Sequence, residues 1–338
     1  MREGKVAVVT GGNAGLGLTL CKRLLSEHKN LYLCLACRNQ IKAEEAKKTL
    51  EASHPSAVIS IVILDTSSVQ SVYEAAQNIK RQFHHVDFLY LNAGMMPVSG
   101  VNWDTFCKGL FSRNCIFMLS TGTGLLKCLD DTTPEGLKQV FATNIFGHFV
   151  LINELDSCLG GPDRPTQIIW TSSSAAARDN FDIEDIQHTN GEEPYKSSKY
   201  AIDMLSVELN TRLNKKNIYS HSVCPGLVMT NLTWGILPAW FWKIMFPFIC
   251  LMRFIVPSLT YSAYSGCEAL VWLISQRPEC LDPLSKFYSQ CSVCGTPSVK
   301  AKQMSIDVDE ASELYNQLSD LNMTFHEKYK DKHKILRS

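Results

Sequence analysis

The sequence predicts a doubly wound α/β fold, in which helices cover both faces of a parallel sheet. Short runs of β-branched residues alternate along the chain with longer segments that have apolar residues at helical spacing. The short runs are apolar on both faces, which is typical of parallel strands in the centre of such a fold. A length of 338 residues, 45% of them hydrophobic, is enough for one large domain and its core. The candidate strands are 6–10, 31–37, 58–65, 86–94, 167–174 and 218–226.

Helical patterns follow the first three of these strands. Apolar residues recur at helical spacing over 16–28, and charged helices are predicted around 40–53 and 67–84. No repeat or linker divides the chain, so one domain with insertions accounts for the pattern better than two domains do. Two insertions, 95–135 and 175–194, follow strands. Insertions at the carboxyl ends of strands usually shape the ligand side of such a fold.

The C-terminal third departs from the alternation. We place the α/β domain at 1–232, an apolar lid or membrane-associated segment at 233–300, and a C-terminal helix with a basic tail at 301–338. That helix is more often a core or dimer element than a regulatory site. Its apolar face is formed by Leu314, Leu318, Leu321 and Phe325, and its basic end by Lys328, Lys330, Lys332, Lys334 and Arg337.

Charge and cysteine content exclude several classes of function. Lys and Arg (33) balance Asp and Glu (33), so no basic surface for nucleic acid is predicted. The 13 cysteines lie at irregular spacing within apolar runs, and the N-terminus leads directly into a strand, which together indicate a reducing compartment. The pairs Cys34/Cys37 and Cys291/Cys294 have C-x-x-C spacing, but no second His/Cys pair completes a zinc site. We therefore expect no metal.

The segment TGGNAGLG at 10–17 follows the first strand and opens the first helix. Its glycines permit a tight turn, a close approach to a pyrophosphate and packing of the helix on the sheet, while the helix N-terminus attracts an anion. A glycine-rich turn without a ligand is the alternative, but the strand before and the helix after are the context that this motif requires. We predict a Rossmann-type dinucleotide site. Its expected contacts are Thr10, Gly11, Asn13, Gly15, Leu16 and Gly17.

The end of the second strand bears on which dinucleotide binds. An acidic residue there would bind the ribose 2′-hydroxyl of NAD, but the strand ends in ACRN at 36–39 without a carboxylate. Arg38 can instead pair with a 2′-phosphate, although a solvated arginine at a strand end is the alternative. The sequence therefore favours NADP(H).

Two further strand ends are expected to border the cofactor. Asp65 and Thr66 end the third strand, where an adenine would lie, although Asp65 alone would more often be a helix N-cap. Asn92, Ala93 and Gly94 end the fourth strand, where small residues let the cofactor pass close to the backbone.

A tyrosine and a lysine begin the helix that follows the insertion at 175–194. Tyr195 and Lys199 are four residues apart, so both side chains lie on one helical face. A neighbouring ammonium is expected to lower the pKa of the tyrosine towards the range of a general acid or base. An exposed tyrosine beside a solvated lysine is the alternative for this pair alone.

Two polar residues are predicted to join this pair. Ser173 lies at the end of the fifth strand, where its hydroxyl can hold a carbonyl oxygen. Asn144 lies in the helix FATNIFGHFVLI, where it can anchor a water that feeds protons to the lysine. Either residue alone would most often be a cap or a helix surface group.

The ordered motifs TGGNAGLG, LDTSS, LNAG, FATNIFG, WTSSS, YKSSK and CPGLVMT resemble those of the short-chain dehydrogenase/reductases over about residues 4–232. The resemblance implies that Tyr195 is the proton donor, Lys199 activates it and binds ribose, Ser173 orients the substrate and Asn144 supports the relay. It also implies that Pro225, Gly226 and Thr230 border the nicotinamide. The serine role is open among Ser172, Ser173 and Ser174, because an insertion separates them from Tyr195; strand-end geometry favours Ser173.

A narrower resemblance, to the keto-steroid reductases of sterol synthesis, extends along nearly the whole chain. It rests on YLNAGMMP, GLFSRN, NIFGHFVLI, IIWTSSS, EEPYKSSKYA and CPGLVMTNLTWGILP, and includes Phe111, Ser112 and Arg113. It implies NADPH-dependent reduction of zymosterone-like 3-keto sterols to 3β-hydroxysterols, and of oestrone to oestradiol. A retinal or general carbonyl reductase is the second reading. A catalytically silent scaffold that senses NADP(H) is the third.

The segment 234–257 is the most apolar part of the chain. Lys243, Arg253 and three prolines interrupt it, so a simple transmembrane span is not expected. It is predicted to lie in the bilayer surface or to cover the substrate cleft, with three tryptophans at the headgroup level. Membrane lipid is therefore an expected partner, and the basic tail would face anionic lipid. The tryptophans are Trp234, Trp240 and Trp242.

The resemblance also implies a cellular location and partners. Related reductases associate with the endoplasmic reticulum membrane, with the catalytic domain facing the cytosol. A homodimer or association with other sterol-synthesis enzymes is left open.

Overall fold

The computed structural model describes residues 4–102, 104, 126–228, 247, 250–254 and 256–335. The strands are β1 Lys5–Thr10, β2 Leu31–Cys37, β3 Val58–Ile63, β4 Phe88–Leu91, β5 Val98–Val101, β6 Leu126–Cys128, β7 Thr166–Thr171, β8 Ile218–Cys224, β9 Ser285–Cys291 and β10 Pro297–Gln303. Within these residues, eight strands form one sheet in the order β10-β9-β8-β7-β4-β1-β2-β3. In this sheet every pair except β9 with β10 is parallel, while β5 and β6 form a separate antiparallel pair. The predicted parallel α/β fold is confirmed.

The helices begin where the sequence supplies starting signals. Asn39 accepts a hydrogen bond from the backbone N–H of Lys42, and Ser68 from that of Ser71, while Pro194 occupies the first turn of its helix. The helices are α1 Gly15–Glu27, α2 Gln40–Ser53, α3 Val69–Gln82, α4 (consecutive segments Gln139–Phe141, Ala142–Phe146 and Gly147–Glu154), α5 Pro194–Leu213, α6 Ala263–Gly266, α7 Glu268–Leu273 and α8 Val308–Ile335.

The core lies on both faces of the sheet. In β1, Val6 and Val8 pack into one cluster, whereas Ala7 and Val9 pack into the other, because successive side chains of a strand point to opposite faces. The same alternation separates Cys34 from Cys37, since each belongs to a different cluster. These two thiols therefore do not face a common site, despite their C-x-x-C spacing.

The sheet continues beyond residue 232, where the sequence analysis ended the α/β domain. Helices α6 and α7, strand β9 and part of β10 fall within 233–300, and β9 pairs in parallel with β8. The segment assigned to a lid thus also supplies the next parallel strand. The β9 sequence SKFYSQC has a polar alternation, which does not match the apolar runs that predicted the other parallel strands.

The C-terminal helix α8 is part of the core of this chain. Leu314 and Leu318 are fully buried, and Leu321 and Phe325 pack against the same cluster. The guanidinium of Arg212 in α5 lies over the ring of Tyr315, 4.1 Å from its centroid. The apolar face predicted for this helix is therefore used within the chain.

The structure describes only a small part of the apolar segment. Trp234, Trp240, Trp242 and Lys243 lie outside the described residues, as do Thr230 and 111–113. Arg253 is buried, and its guanidinium donates to the carbonyls of Leu259 and Thr260 at 2.8 and 3.0 Å. No helix in the described part of the chain has the length and hydropathy required to span a membrane.

Candidate active site

The glycine loop forms a cradle at the carboxyl end of β1. Gly11 and Gly15 have φ of +67° and +51°, values that a residue with a side chain rarely adopts. A Cβ on Gly17 would collide with the carbonyl oxygen of Gly11. Helix α1 begins here with Ala14 at its N-cap, without a side-chain cap and without an acidic residue in its first turn. Its first N–H groups and positive end therefore suit a pyrophosphate. Asn13 and Leu16, also predicted as contacts, lie partly exposed on this loop.

Thr10 connects this cradle to the end of β4. Its hydroxyl oxygen accepts hydrogen bonds from the backbone N–H groups of Asn92 and Ala93, both at 2.9 Å. The amide of Asn92 donates to the carbonyl of Thr10 at 3.0 Å. A Cβ on Gly94 would lie 3.2 Å from Oδ1 of Asn144 and 3.8 Å from Nζ of Lys199. The turn at 92–94 thus lies between the glycine cradle and the predicted catalytic side chains.

The residues predicted to bind the adenosine half differ in their surroundings. Arg38 follows the last residue of β2 and is exposed. Oδ1 of Asp65 accepts from the backbone N–H and the hydroxyl of Ser67 at 3.0 and 2.7 Å. That oxygen therefore stabilises the turn before α3, whereas the N-cap of α3 is Ser68 and not Asp65. Thr66 is buried beside it.

Helix α5 brings Tyr195 and Lys199 to the end of β7. Nζ of Lys199 lies 5.4 Å from the ring centroid of Tyr195 and donates to the carbonyl of Thr171 at 2.7 Å. A hydrogen-bonding interaction with the Ser173 side chain acts to lower the pKa of Tyr195, so the two hydroxyl groups lie close together. A serine, a tyrosine and a lysine from two separate elements therefore meet at one site.

The three neighbouring serines have different partners. Ser172 is buried, and its hydroxyl donates to the carbonyl of Lys199 at 3.3 Å. The hydroxyl of Ser174 makes a hydrogen bond with the Cys224 thiol. Of these three serines, Ser173 is the one whose hydroxyl contacts Tyr195.

Burial dominates the protonation of the site. It raises the pKa of Tyr195 to about 12, and the hydrogen bond from Ser173 acts in the opposite direction. Burial lowers the pKa of Lys199 to about 8, which Asp203 opposes and Lys286 reinforces. The tyrosine pKa is therefore not lowered as expected, because the effect of burial is larger. A phenol with this pKa keeps its proton at neutral pH, as a proton donor must.

Asn144 lies in α4, in the helix where the sequence placed it. It lies in a π-helical turn of α4, Ala142–Phe146, and is buried. Its Oδ1 accepts from the backbone N–H of Met95 at 2.8 Å, and its Nδ2 donates to the carbonyl of Met95 and the hydroxyl of Ser198 at 3.1 and 3.0 Å. The side chain therefore joins the segment after β4 to α5, and its role in anchoring a water stays a prediction.

Two groups of functional interest were missed in the sequence. Nε2 of His148 lies 3.0 Å from the hydroxyl of Thr10, and its Nδ1 lies 3.3 Å from the carbonyl of Asn144. Burial lowers the pKa of His148 to about 4, so the ring stays neutral at physiological pH. The other group is the pair Asp203 and Lys286 behind Ser173. A titratable residue within an apolar helix was the available signal for His148 and Asp203, whereas the polar alternation of β9 gave no such signal for Lys286.

The turn after β8 closes the site. Gly226 has a φ of +76°, and a Cβ there would collide with the carbonyl oxygen of Ser258. The hydroxyl of Thr260 donates to the carbonyl of Pro225 at 2.9 Å. Pro225 and Gly226 are thus held at the carboxyl end of the sheet, where they were predicted to border the nicotinamide.

Comparisons with known proteins agree with this geometry. The sequence model of a family described as short chain dehydrogenase matches residues 5–239. The rat protein named 3-keto-steroid reductase/17-beta-hydroxysteroid dehydrogenase 7 is 51% identical over 94% of this chain and 95% of its own length. The human protein of the same name is 49% identical over 94% and 93%. The structure of salutaridine reductase from Papaver somniferum matches 84% of this chain and 99% of its own, with a TM-score of 0.59 and 23% identity.

Proposed function

The chain belongs to the short-chain dehydrogenase family, and from this premise we propose that it is an NADPH-dependent keto-steroid reductase. Its substrates are 3-keto sterol intermediates, which it converts to 3β-hydroxysterols, and oestrone, which it converts to oestradiol. Identity near 50% over almost the whole chain to two proteins with that name supports the substrate class. The proximity of the Ser173 and Tyr195 side chains at the end of β7 is the observation that supports carbonyl reduction.

The side chains divide the reduction between them. The Ser173 hydroxyl donates to the substrate carbonyl oxygen and holds it beside Tyr195. The Tyr195 phenol gives its proton to the oxygen as negative charge develops there, and the Lys199 ammonium stabilises the phenolate that remains. The chemistry that a nicotinamide cofactor would supply here, held by the glycine cradle, is hydride transfer to the carbonyl carbon. In this account the hydrogen bonds of Asn144 hold the chain at Met95 in place against α5.

The preference for NADPH rests on the end of β2. Members of this family use NAD(H) or NADP(H), and the glycine cradle suits the pyrophosphate that both cofactors share. Arg38 is exposed at the strand end, and the residues at 36–39 contain no carboxylate to bind a free 2′-hydroxyl. Arg38 pairs with the 2′-phosphate in our proposal.

Membrane attachment is a separate part of the proposal. The protein associates with the endoplasmic reticulum membrane and its catalytic domain faces the cytosol. The apolar composition of 234–257 supports this, as do Leu251 and Phe254, which are 67% and 83% exposed. Flotation of the purified protein with vesicles tests it: attachment predicts co-flotation, and recovery of all protein in the lipid-free fraction contradicts it.

A substrate panel tests the proposed activity. Purified protein is assayed with NADPH or NADH against a zymosterone-like 3-keto sterol, oestrone and all-trans-retinal. We expect reduction of the two keto-steroids with NADPH preferred. Efficient retinal reduction without steroid reduction would establish the retinal reductase alternative, and NADPH binding without any turnover would establish the silent scaffold.

A further inference from the structure

A buried ion pair lies behind the catalytic serine. Nζ of Lys286 in β9 lies 2.6 Å from Oδ2 of Asp203 in α5, and the two side chains are 3% and 6% exposed. Oδ1 of the same carboxylate accepts from the hydroxyl of Ser222 in β8 at 2.5 Å. Both carboxylate oxygens are therefore satisfied without solvent.

The same lysine reaches the backbone of the catalytic segment. Nζ of Lys286 donates to the carbonyl oxygen of Ser173 at 2.7 Å. Two residues earlier, the carbonyl of Thr171 receives the ammonium of Lys199, also at 2.7 Å. The short segment between the end of β7 and the serine is thus held by two lysines from different elements.

The aspartate of the ion pair lies on the same face of α5 as Tyr195 and Lys199. Tyr195, Lys199 and Asp203 are spaced four residues apart, so they lie on one face of the helix on successive turns. A buried ion pair is a poor source of stability, because the desolvation of both charges offsets their attraction. The second hydrogen bond of Lys286, to the carbonyl of Ser173, indicates instead that the pair fixes the position of the serine backbone.

We propose that Asp203 and Lys286 are positioning residues that fix the carbonyl of Ser173 and so hold its hydroxyl against Tyr195. The inference rests on the proposed function for the roles of Ser173 and Tyr195. Asp203 fixes the lysine, and Lys286 fixes the serine backbone from the side of β9. The strand that the sequence pattern missed therefore supplies a side chain that supports the catalytic centre.

A double-mutant cycle separates positioning from general stability. We expect Lys286→Met to lower kcat by about tenfold or more, while the dissociation constant for NADPH, measured by its fluorescence, changes less than about twofold. In a Ser173→Ala background, the same substitution should lower kcat by less than about twofold, because the hydroxyl that it misplaces is absent. An equal loss of kcat in both backgrounds would overturn the proposal.

A matched control and a conservative variant complete the experiment. Arg164→Met also leaves a buried carboxylate, Asp87, without its cation, but at the amino end of the sheet. It should leave kcat per folded molecule unchanged, whereas Lys286→Arg should recover most of the kcat lost in Lys286→Met. If Lys286→Met does not fold, Ser222→Ala, which frees one oxygen of Asp203, enters the same cycle with the same criterion. Failure of the proposed function would appear earlier, as wild-type protein that reduces no keto-steroid.

Discussion

Single residues at the site act mainly through their burial. Tyr195 keeps its proton because burial raises its pKa, and Lys199 titrates near neutrality because burial lowers its pKa to about 8. Both pKa shifts arise because the surrounding helix and strands bury the two side chains. The spacing of Tyr195 and Lys199 in the sequence does not predict this burial. The sequence was sufficient to pair them, but the direction of the tyrosine pKa shift depends on burial of the phenol, which is known only from the structure.

Arg38 is the residue on which cofactor choice is expected to depend. Arg38→Ala should raise the KM for NADPH by about ten- to a hundredfold, since a hydrogen-bonded charge pair contributes about 1.5–3 kcal/mol. The KM for NADH should change by less than about twofold. Steady-state kinetics with both cofactors measure this, and equal losses for NADPH and NADH would contradict the assignment.

His221 is expected to make stability depend on pH. Burial in β8 lowers its pKa to about 4, below the 6.5 of an exposed histidine, so only the unfolded chain binds a proton between these values. The stabilising contribution is complete above pH 6.5, is lost progressively as pH falls from there to about 4, and is absent below that. At pH 5 this costs about 2 kcal/mol of unfolding free energy relative to pH 7.5.

His221→Leu tests this dependence. Urea unfolding at pH 7.5 and 5 should show a smaller difference between the two pH values in the variant, by about that 2 kcal/mol. His148 has the same lowered pKa and remains in the variant, so part of the dependence should persist. An unchanged difference would show that His221 does not titrate in this way.

Elements with local patterns were predicted well, and those that depend on distant contacts were not. The segment from β1 through α1 to β2 follows from an apolar strand, a glycine turn and a helical pattern. Strand β9 has polar alternation and joins the sheet only because β8 offers an unpaired edge. The π-turn in α4 leaves no sequence pattern either, because it is held by bonds between Asn144 and the distant Met95 and Ser198.

The π-turn provides a prediction at the scale of a helix. Asn144→Ala removes three hydrogen bonds and leaves buried partners unsatisfied, so the free energy of unfolding should fall by about 2–3 kcal/mol. The kcat should also fall, because the hydrogen bonds that join the chain at Met95 to α5 are lost. Asn153→Ala in the same helix is the control, since Nδ2 of Asn153 donates only within its own helix, to the carbonyl of Phe149 at 2.8 Å. A loss as large in the control would rule out a special role for Asn144.

At the scale of the whole molecule, the described chain after residue 232 is part of the same sheet and core as the chain before it. Helices α6 and α7 and strand β9 extend the parallel sheet, and α8 fills the core against α5. The sequence analysis separated these parts because the apolar segment interrupts the alternation. The site could be placed from the sequence at the carboxyl ends of the strands, but its support from β9 could not.

Truncation of a single side chain in α8 tests this integration. Leu314 is fully buried, so Leu314→Ala should lower the free energy of unfolding by about 3–5 kcal/mol. Met323 on the same helix is 58% exposed, and Met323→Ala should change it by less than about 0.5 kcal/mol. Chemical unfolding of the two variants measures this, and similar values for both would show that α8 is an appendage.

The central claim, that Tyr195 protonates a keto-steroid reduced by NADPH, is tested most directly by product formation in Tyr195→Phe. Wild-type protein should convert oestrone or a 3-keto sterol to the hydroxysteroid with one NADPH consumed per product. The variant should lose about 10²–10⁴-fold in kcat and bind NADPH within about threefold of wild type. A variant that retains more than a tenth of the wild-type kcat, or a wild-type protein that forms no hydroxysteroid, would contradict the claim.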